Sequence, residues 1–291
     1  MRRLRPLVPL ALLAAAVFTA GFKTVNYLEA DGVMTKVHDT HGADAEVDVV
    51  DMVSVTKNEK ANTTETTTRR LISAVQKDSK GGLMYLMRIL APEDEKGVSL
   101  LVLEDANDNV DQYLYIPALG AKKIDPGSRS SSFLGSDFTY EDLRKEKPGE
   151  WKYDRLDDEK IDGTDCYAIM ATPVNKDREK ITGYTYRFLD VDKATFDIRR
   201  VMFLDSKQKE LKVFDAYDYQ ATNTAVQRPR SGVMTNLVKG THTIMTLLNS
   251  RLGKPLDEKV FTLDTLKNWG PEQDKLFEDL VPKSATPANK P

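Results

Sequence analysis

The chain has 291 residues, a formal net charge of −3, 40% apolar and 30% charged residues, and a single cysteine. That balance is ordinary for a globular protein, and with no long basic cluster it excludes nucleic acid as a partner. The lone Cys166 excludes an internal disulfide.

Residues 1–20 read as an export signal. Arg2, Arg3 and Arg5 make a basic start, and residues 7–18 an apolar run interrupted by Pro9. Crossing a bilayer as a helix takes about 20 apolar residues, so this run is too short. Ala14, Ala16 or Ala20 offers a small residue for cleavage, and an uncleaved anchor is the alternative. No cysteine is present to carry a lipid after cleavage, so the expected product is exported, soluble and not lipid-anchored. Loss of the three arginines takes its formal charge from −3 to −6. The rest divides into one domain, 21–282, and a polar tail, 283–291, with nothing to bury.

In chain order, the spacing of Val25, Leu28, Val33 and Val37 predicts a helix over 24–37, weakened by Gly32. The period then changes from 3.6 to 2. Ala45, Val47 and Val49 alternate with Asp44, Glu46 and Asp48, and Val53 and Val55 continue the row, as in a strand with one wet face. A turn over 58–62 leads to a strand over 63–75 that is rich in β-branched residues. Segments 83–90 and 98–103 are apolar at both parities, so both of their faces should be covered. Tyr113 to Ile116 form a short aromatic strand that stops at Pro117, and residues 133–142 turn back toward an apolar surface.

Further strands are predicted over 151–156, 166–172, 182–189, 196–204 and 211–219. Their separators, including Asp162-Gly163 and residues 175–177, have turn chemistry. Segments 232–238 and 241–249 read as a last hairpin, followed by helical patterns near 263–269 and 272–280. About a dozen strands with short loops and no repeat predict a mainly β (α+β) fold. The expected architecture is a single strongly curved antiparallel sheet, an incomplete barrel with helices plugging its concave side. Helices are expected at both ends of the chain and one in the middle.

Candidate chemistry is thin. His38 and His41 form an HxxH pair that lacks a third ligand nearby, and His242 lies in a polar strand, so solvated positions are expected for them. The stretch from Asp105 to Asp111 has oxygen ligands spaced like an EF-hand, but Val110 replaces its glycine and Ile116 its bidentate glutamate, which leaves a hairpin turn. Cys166 sits in an apolar strand, where a buried, inert thiol is expected. Asp137, following Ser136 and followed by Glu141 and Asp142, reads as a helix N-cap with acids in the first turn. There is no GxSxG, Walker loop or GxGxxG, so no enzyme, cofactor or metal site is predicted.

What remains is apolar surface. Tyr113 and Tyr115 share one face of their strand and Leu114 and Ile116 the other. Met84, Leu86, Met87, Leu101 and Leu103 lie on neighbouring strands, and methionine suits a surface that repacks around different guests. Phe133, Leu134, Phe138 and Tyr140 return over this sheet. Two readings stand: a closed core, or a cavity walled by Met84, Leu86, Met87, Leu101, Leu103, Tyr113 and Tyr115 beneath a lid of Phe133, Leu134, Phe138 and Tyr140.

The text from Asp111 to Asp142, DQYLYIPALGAKKIDPGSRSSSFLGSDFTYED, resembles the LolA-like family of outer-membrane lipoprotein-sorting proteins, whose members carry "LYxPALGxxRRIxxxxRxxSFxGSDFxYED". The stretch from Ala91 to Leu101 is similar to the family's "PxDxKGxxxL", and Val260-Phe261-Thr262 with Leu266 to its "vFTxxxL". Lys122-Lys123 stands in place of the commoner Arg-Arg, and Thr139 where Ser is usual. The resemblance implies a bent, incomplete barrel with an apolar cavity and no catalytic residues. It also implies a periplasmic carrier of lipids or of the acyl chains of lipoproteins, working beside a resistance-nodulation-division (RND) type inner-membrane transporter and expected as a monomer. The competing expectation is a periplasmic adaptor with a closed core and no ligand.

Overall fold

A computed structural model of the chain describes residues 28–40, 44–58, 63–107, 109–147, 149–221 and 227–282. The predicted signal segment, the centre of the 58–62 turn, His41 and the polar tail lie outside the described residues.

The first helix, α1 (Ala30–Thr40), buries Ala30, Val33, Met34 and Val37 along one stripe. Then follow β1 (Ala45–Asn58), β2 (Thr63–Lys77), β3 (Leu83–Ala91), β4 (Ser99–Glu104), β5 (Val110–Ile116) and the short β6 (Gly120–Lys123). A long connection leads to β7 (Trp151–Arg155), β8 (Glu159–Ile161) and β9 (Thr164–Pro173). Helix α2 (Lys176–Thr182) precedes β10 (Tyr186–Asp192), β11 (Ile198–Leu204), β12 (Glu210–Ala221), β13 (Gln227–Asn236) and β14 (Thr241–Leu252). The described chain ends on α3 (Leu263–Lys267) and α4 (Pro271–Lys275).

The fourteen strands among the described residues belong to one antiparallel sheet, ordered β6-β5-β4-β3-β2-β1-β14-β13-β12-β11-β10-β9-β7 with β8 paired to β9. β1 joins the two halves, pairing with β2 on one side and β14 on the other. The sheet's edges are β6 and β7, which are consecutive in the chain. The connection 124–150 therefore carries the chain from one edge to the other. β4 and β7 stand ten places apart in the order, ~48 Å if the sheet were flat. Yet Arg144, within that connection, bonds both Glu104 at the end of β4 and Glu150 just before β7. The sheet must curl around the connection, as in an incomplete barrel, and the face carrying the connection and α1 is the concave one.

Strand alternation sorts the core into two faces. On the β1–β5 half, Val47, Val49, Ile72, Ala74, Leu86 and Leu101 face outward, where Val260, Phe261, Leu266, Phe277 and Leu280 of the C-terminal segment cover them. Met52, Leu71, Tyr85, Leu100 and Val102, of opposite parity, face inward against Ile124 and Phe133. So 83–90 and 98–103 are covered on both sides, as their double apolar parity predicts. Helix α1 takes the concave side, against Ile169, Leu189 and Val201, while α3 and α4 lie on the convex side.

Two local readings are corrected. Residues 175–177 do not form a turn between strands. The Asn175 side chain accepts from the Arg178 amide at 2.8 Å and starts α2, which Gly183 ends at φ 78°. A helix does occur in the middle of the described chain, but here and not at Asp137, and it delays the next strand to Tyr186. Asp137 caps no helix, because residues 133–144 are turns and bends with one isolated bridge, Thr139 to Ser132.

Candidate functional site

The connection enters the barrel as a tight fold-back. Phe133 N–H donates to Phe138 O at 2.8 Å and Ser136 N–H to Phe133 O at 2.9 Å. Between them Leu134 (φ 47°) and Gly135 (φ 77°) both have positive φ, the geometry of a type I′ turn. The turn drives its two phenylalanines in different directions. Phe133 packs among the β1–β5 residues and meets Tyr140 edge-on at 5.7 Å. Phe138 packs on the other half and meets Phe214 edge-on at 6.2 Å. Asp137, 7% exposed, pins the tip to β14, accepting from Thr241 Oγ1 at 2.6 Å and Thr243 Oγ1 at 2.9 Å. A buried carboxylate needs such donors, and β14 supplies them from its inward-facing row.

Beyond the fold-back, residues 141–147 form a strap held by ion pairs across the barrel. Arg144 is 6% exposed and bonds Glu104 at 3.0 Å, Glu141 at 2.9 Å and Glu150. Burial opposes its charge, but Glu141, Glu150 and Glu104 outweigh burial and hold its pKa above the ordinary value. Arg178 also bonds Glu141 and Glu150, and Lys147 reaches Glu104 at 3.1 Å. Lys212 of β12 pairs with Asp142, whose other oxygen accepts from Tyr184 at 2.9 Å. Glu146 accepts from Tyr153 at 2.8 Å and pairs with Arg187 at 2.7 Å. Bonds from the strap reach Glu104 of β4 and Tyr153, Arg187 and Lys212 of β7, β10 and β12, and Glu141 meets Arg178 of α2, so the strap is fixed from both sides.

Cavities lie on either side of the strap. One of about 280 Å³ is floored by Val75, Tyr85, Met87, Leu100 and Val102 and rimmed by Glu46, Ser73, Arg144, Lys145 and Arg228. A second, of about 320 Å³, lies between α1 and β10–β13, against Met34, Val37, Leu189, Val201, Phe203 and Phe214. Lys145 lines both. A third, of about 200 Å³, shares Val201, Phe203 and Phe214 with the second and continues it toward Phe138, Trp151 and Met234. Together they form a trough with apolar walls along the concave face, into which charge enters from the strap, from the rim, from Arg178 of α2 and from Arg187 of β10.

Among the residues singled out from sequence, Met84, Leu86, Leu101, Leu103, Tyr113 and Tyr115 do come together, but on the convex face beneath the C-terminal segment. Met87 alone has the opposite parity and lines the 280 Å³ cavity. Phe133, Leu134, Phe138 and Tyr140 all lie on the concave side. Wall and lid, as proposed from sequence, are thus separated by the thickness of the sheet, except at Met87. The trough's residues on α1 and β10–β13, and its charges Lys145 and Arg228, went unnoticed. Inward alternation in 198–204 and 211–219 was the available signal.

The remaining candidates resolve simply. His38 is not a solvated surface residue: it is half-buried, lines the 320 Å³ cavity, and burial lowers its pKa. His242 has the opposite parity from Thr241 and Thr243 and so faces outward. Asp105 Oδ1 accepts from the amides of Asn107 at 2.8 Å and Asn109 at 3.0 Å, a turn that occupies the carboxylate with its own loop. Cys166 is fully buried, and burial pushes its thiol up to about 11. Among the described residues, no three His, Cys, Asp or Glu side chains converge to hold a metal, and no helix is long and apolar enough to cross a membrane.

A family model described as "Uncharacterized protein" matches residues 81–268. No curated protein matches the chain. Among solved structures, an outer membrane lipoprotein-sorting protein domain from Vibrio parahaemolyticus is similar at 27% identity and a TM-score of 0.73, covering 82% of this chain and 98% of its own. A DUF1329 family protein from Desulfovibrio piger is similar at 21% identity and a TM-score of 0.73, covering 81% and 97%. A LolA superfamily protein from Nitrosomonas europaea follows at 17% identity and a TM-score of 0.63, covering 82% and 99%. The curved, open antiparallel sheet is common to the fold they represent, and the chain belongs to the LolA-like outer-membrane lipoprotein-sorting protein family.

Proposed function

We propose that this protein is a non-enzymatic periplasmic carrier for lipids or for the acyl chains of lipoproteins. The observation that carries the reading is the row of cavities with apolar walls along the concave face, on either side of the strap. A closed-core adaptor would have no use for it. Burial of a 16-carbon chain offers about 0.8 kcal/mol per methylene, an upper bound near ~12 kcal/mol. Release would be slow if all of that were kept. Phe133, Phe138 and Tyr140 already pack inside the barrel, so a ligand gains its burial partly by displacing them, which makes loading reversible.

The same proposal places the carrier, as a monomer, beside an RND-type inner-membrane exporter that would load or unload it. Native mass spectrometry of gently purified protein tests the reading. Adducts of lipid mass are expected, whereas a clean unliganded peak together with tight binding to the transporter would favour the adaptor. Phe138→Ala and Tyr140→Ala should change lipid retention, and unchanged retention in both would remove the lid role.

A further inference from the structure

We propose that the convex face of β9–β12 is a docking surface for an amphipathic helix of a partner protein. This goes beyond the carrier reading and does not depend on it. On an antiparallel sheet with one face on the core, outward positions are ordinarily polar. Here one outward row is not. Met170 of β9 stands opposite Phe188 of β10, Phe188 opposite Met202 of β11, and Met202 opposite Val213 of β12. Their chain neighbours Ile169, Leu189, Val201 and Phe214 face α1 and the trough, so these four point outward. Each is half-buried, and among the described residues none belongs to a packed core on either side of the sheet.

The row contrasts with its own surroundings. Two residues along the same strands, the outward positions are Asp190, Arg200 and Asp215, again opposite one another, with Arg200 bonding Asp215 at 2.6 Å. Beyond Val213 the apolar surface steps by two residues and continues through Val233, Ile244 and Val53.

The rest of the convex face shows what covers such a surface. Over β1–β5 the outward apolar residues lie beneath Val260, Phe261, Leu266, Phe277 and Leu280, on a segment of short helices. That segment reaches β14 at Leu248 and Asn249, and none of the residues it packs against belongs to β9–β13. Residues 283–291, which follow it, contain no apolar side chain larger than proline. A helix supplied by a partner would therefore continue the layer that α3 and α4 begin.

The dimensions select a single helix. Four strands span three gaps, ~14 Å, the length of a helix of about ten residues. The row is one side chain deep before the charged row begins, too narrow for a second sheet or a bilayer. The curl of the sheet carries Val233, Ile244 and Val53 off this line, so a straight helix meets the first four. Phe188 has a methionine on each side. Aromatic residues and methionine are enriched in interface cores, where charge is depleted, and methionine adapts its shape to a partner.

The test places the photo-crosslinker p-benzoylphenylalanine at Phe188, and separately at the exposed Gln220, in the full-length chain within the cells that make it. Crosslinked peptides are then sequenced by mass spectrometry. The probe at 188 should give one dominant protein adduct, at least tenfold above that at 220. The joined segment should carry apolar residues at i, i+3, i+4 and i+7. Met202→Gln and the nearly isosteric Val213→Thr should each cut the adduct at least fivefold with an unchanged urea midpoint; if the first unfolds, the second decides. An adduct to a second copy of the chain, to its own residues 1–27 or to lipid alone overturns the proposal. So does a yield no higher than at Gln220, or an adduct that survives both substitutions. The trough lies on the other face, so lipid retention should be the same in both variants. Loss of retention together with the adduct would make the row a support of the trough and overturn the docking role.

Discussion

Arg144→Met removes the hub of the strap. The arginine side chain is 1% exposed and its partners Glu104, Glu141 and Glu150 are 0%, 4% and 19% exposed. Removing one partner of a buried ion pair costs about 3–5 kcal/mol, because the remaining charge keeps its desolvation penalty. Here the carboxylates retain Lys147 and Arg178, so the lower end, about 3 kcal/mol, is expected. That is a large share of the ~5–15 kcal/mol that holds a typical domain folded. The control is Arg155→Met, whose partner Asp158 is 36% exposed and also holds Lys193; about 1 kcal/mol or less is expected there. Equilibrium urea unfolding at pH 7.5, read by far-ultraviolet circular dichroism, gives both values, with unchanged m-values confirming a common unfolded state. If Arg144→Met cost no more than Arg155→Met, the strap would not be a buried electrostatic crosspiece, and the reasoning would fail.

Two further outcomes follow from particular contacts. Glu46 keeps its proton in the folded chain up to about pH 7, well above the unfolded carboxyl. Stability should therefore fall as pH rises from about 4.5 to about 7, by about 3 kcal/mol from this group. Glu46→Gln should flatten that slope in paired urea titrations at pH 5 and pH 8, and an unaltered slope would remove Glu46 as its source. Gly232 of β13 leaves no room for a side chain: an added Cβ would lie 2.7 Å from Phe214 Cε2 and 2.8 Å from its Cζ. Gly232→Ala should cost about 1–3 kcal/mol and push Phe214 into the trough, reducing lipid retention; a variant with unchanged stability and retention would contradict this.

Much of the sheet was legible because strand alternation is local. The same-face pairs Tyr113 with Tyr115, Met84 with Leu86 and Leu101 with Leu103 do share one face, and across the sheet Met84 stands opposite Leu103, Leu86 opposite Leu101 and Leu101 opposite Tyr113. Which face is concave was not legible, because both parities of β3 and β4 are apolar and the C-terminal segment that covers the outer face lies more than 150 residues downstream. Met87 could not share a wall with Leu86, its strand neighbour, since consecutive side chains point to opposite faces. The fold-back misled for a related reason. Ser136-Asp137 followed by acids suits a helix start, but the donors that claim Asp137 are Thr241 and Thr243, over a hundred positions away. Lys145 and Arg228 meet at one cavity rim only because β1 pairs with β14 and closes the two halves of the sheet together.

The two tryptophans report on opposite faces. Trp151 borders the trough, 4% exposed, with the Arg187 guanidinium 3.5 Å from its ring centroid. Trp269 stacks on Phe277 over the convex face, its Nε1 donating to Asp274 at 2.7 Å. Short-range quenching by a phospholipid brominated on its acyl chains therefore locates the chain directly, using Trp269→Phe and Trp151→Phe to isolate each signal. Strong quenching of Trp151 and none of Trp269 is expected. Quenching of Trp269 instead would put the chain on the face proposed from sequence, and quenching of neither would contradict the carrier.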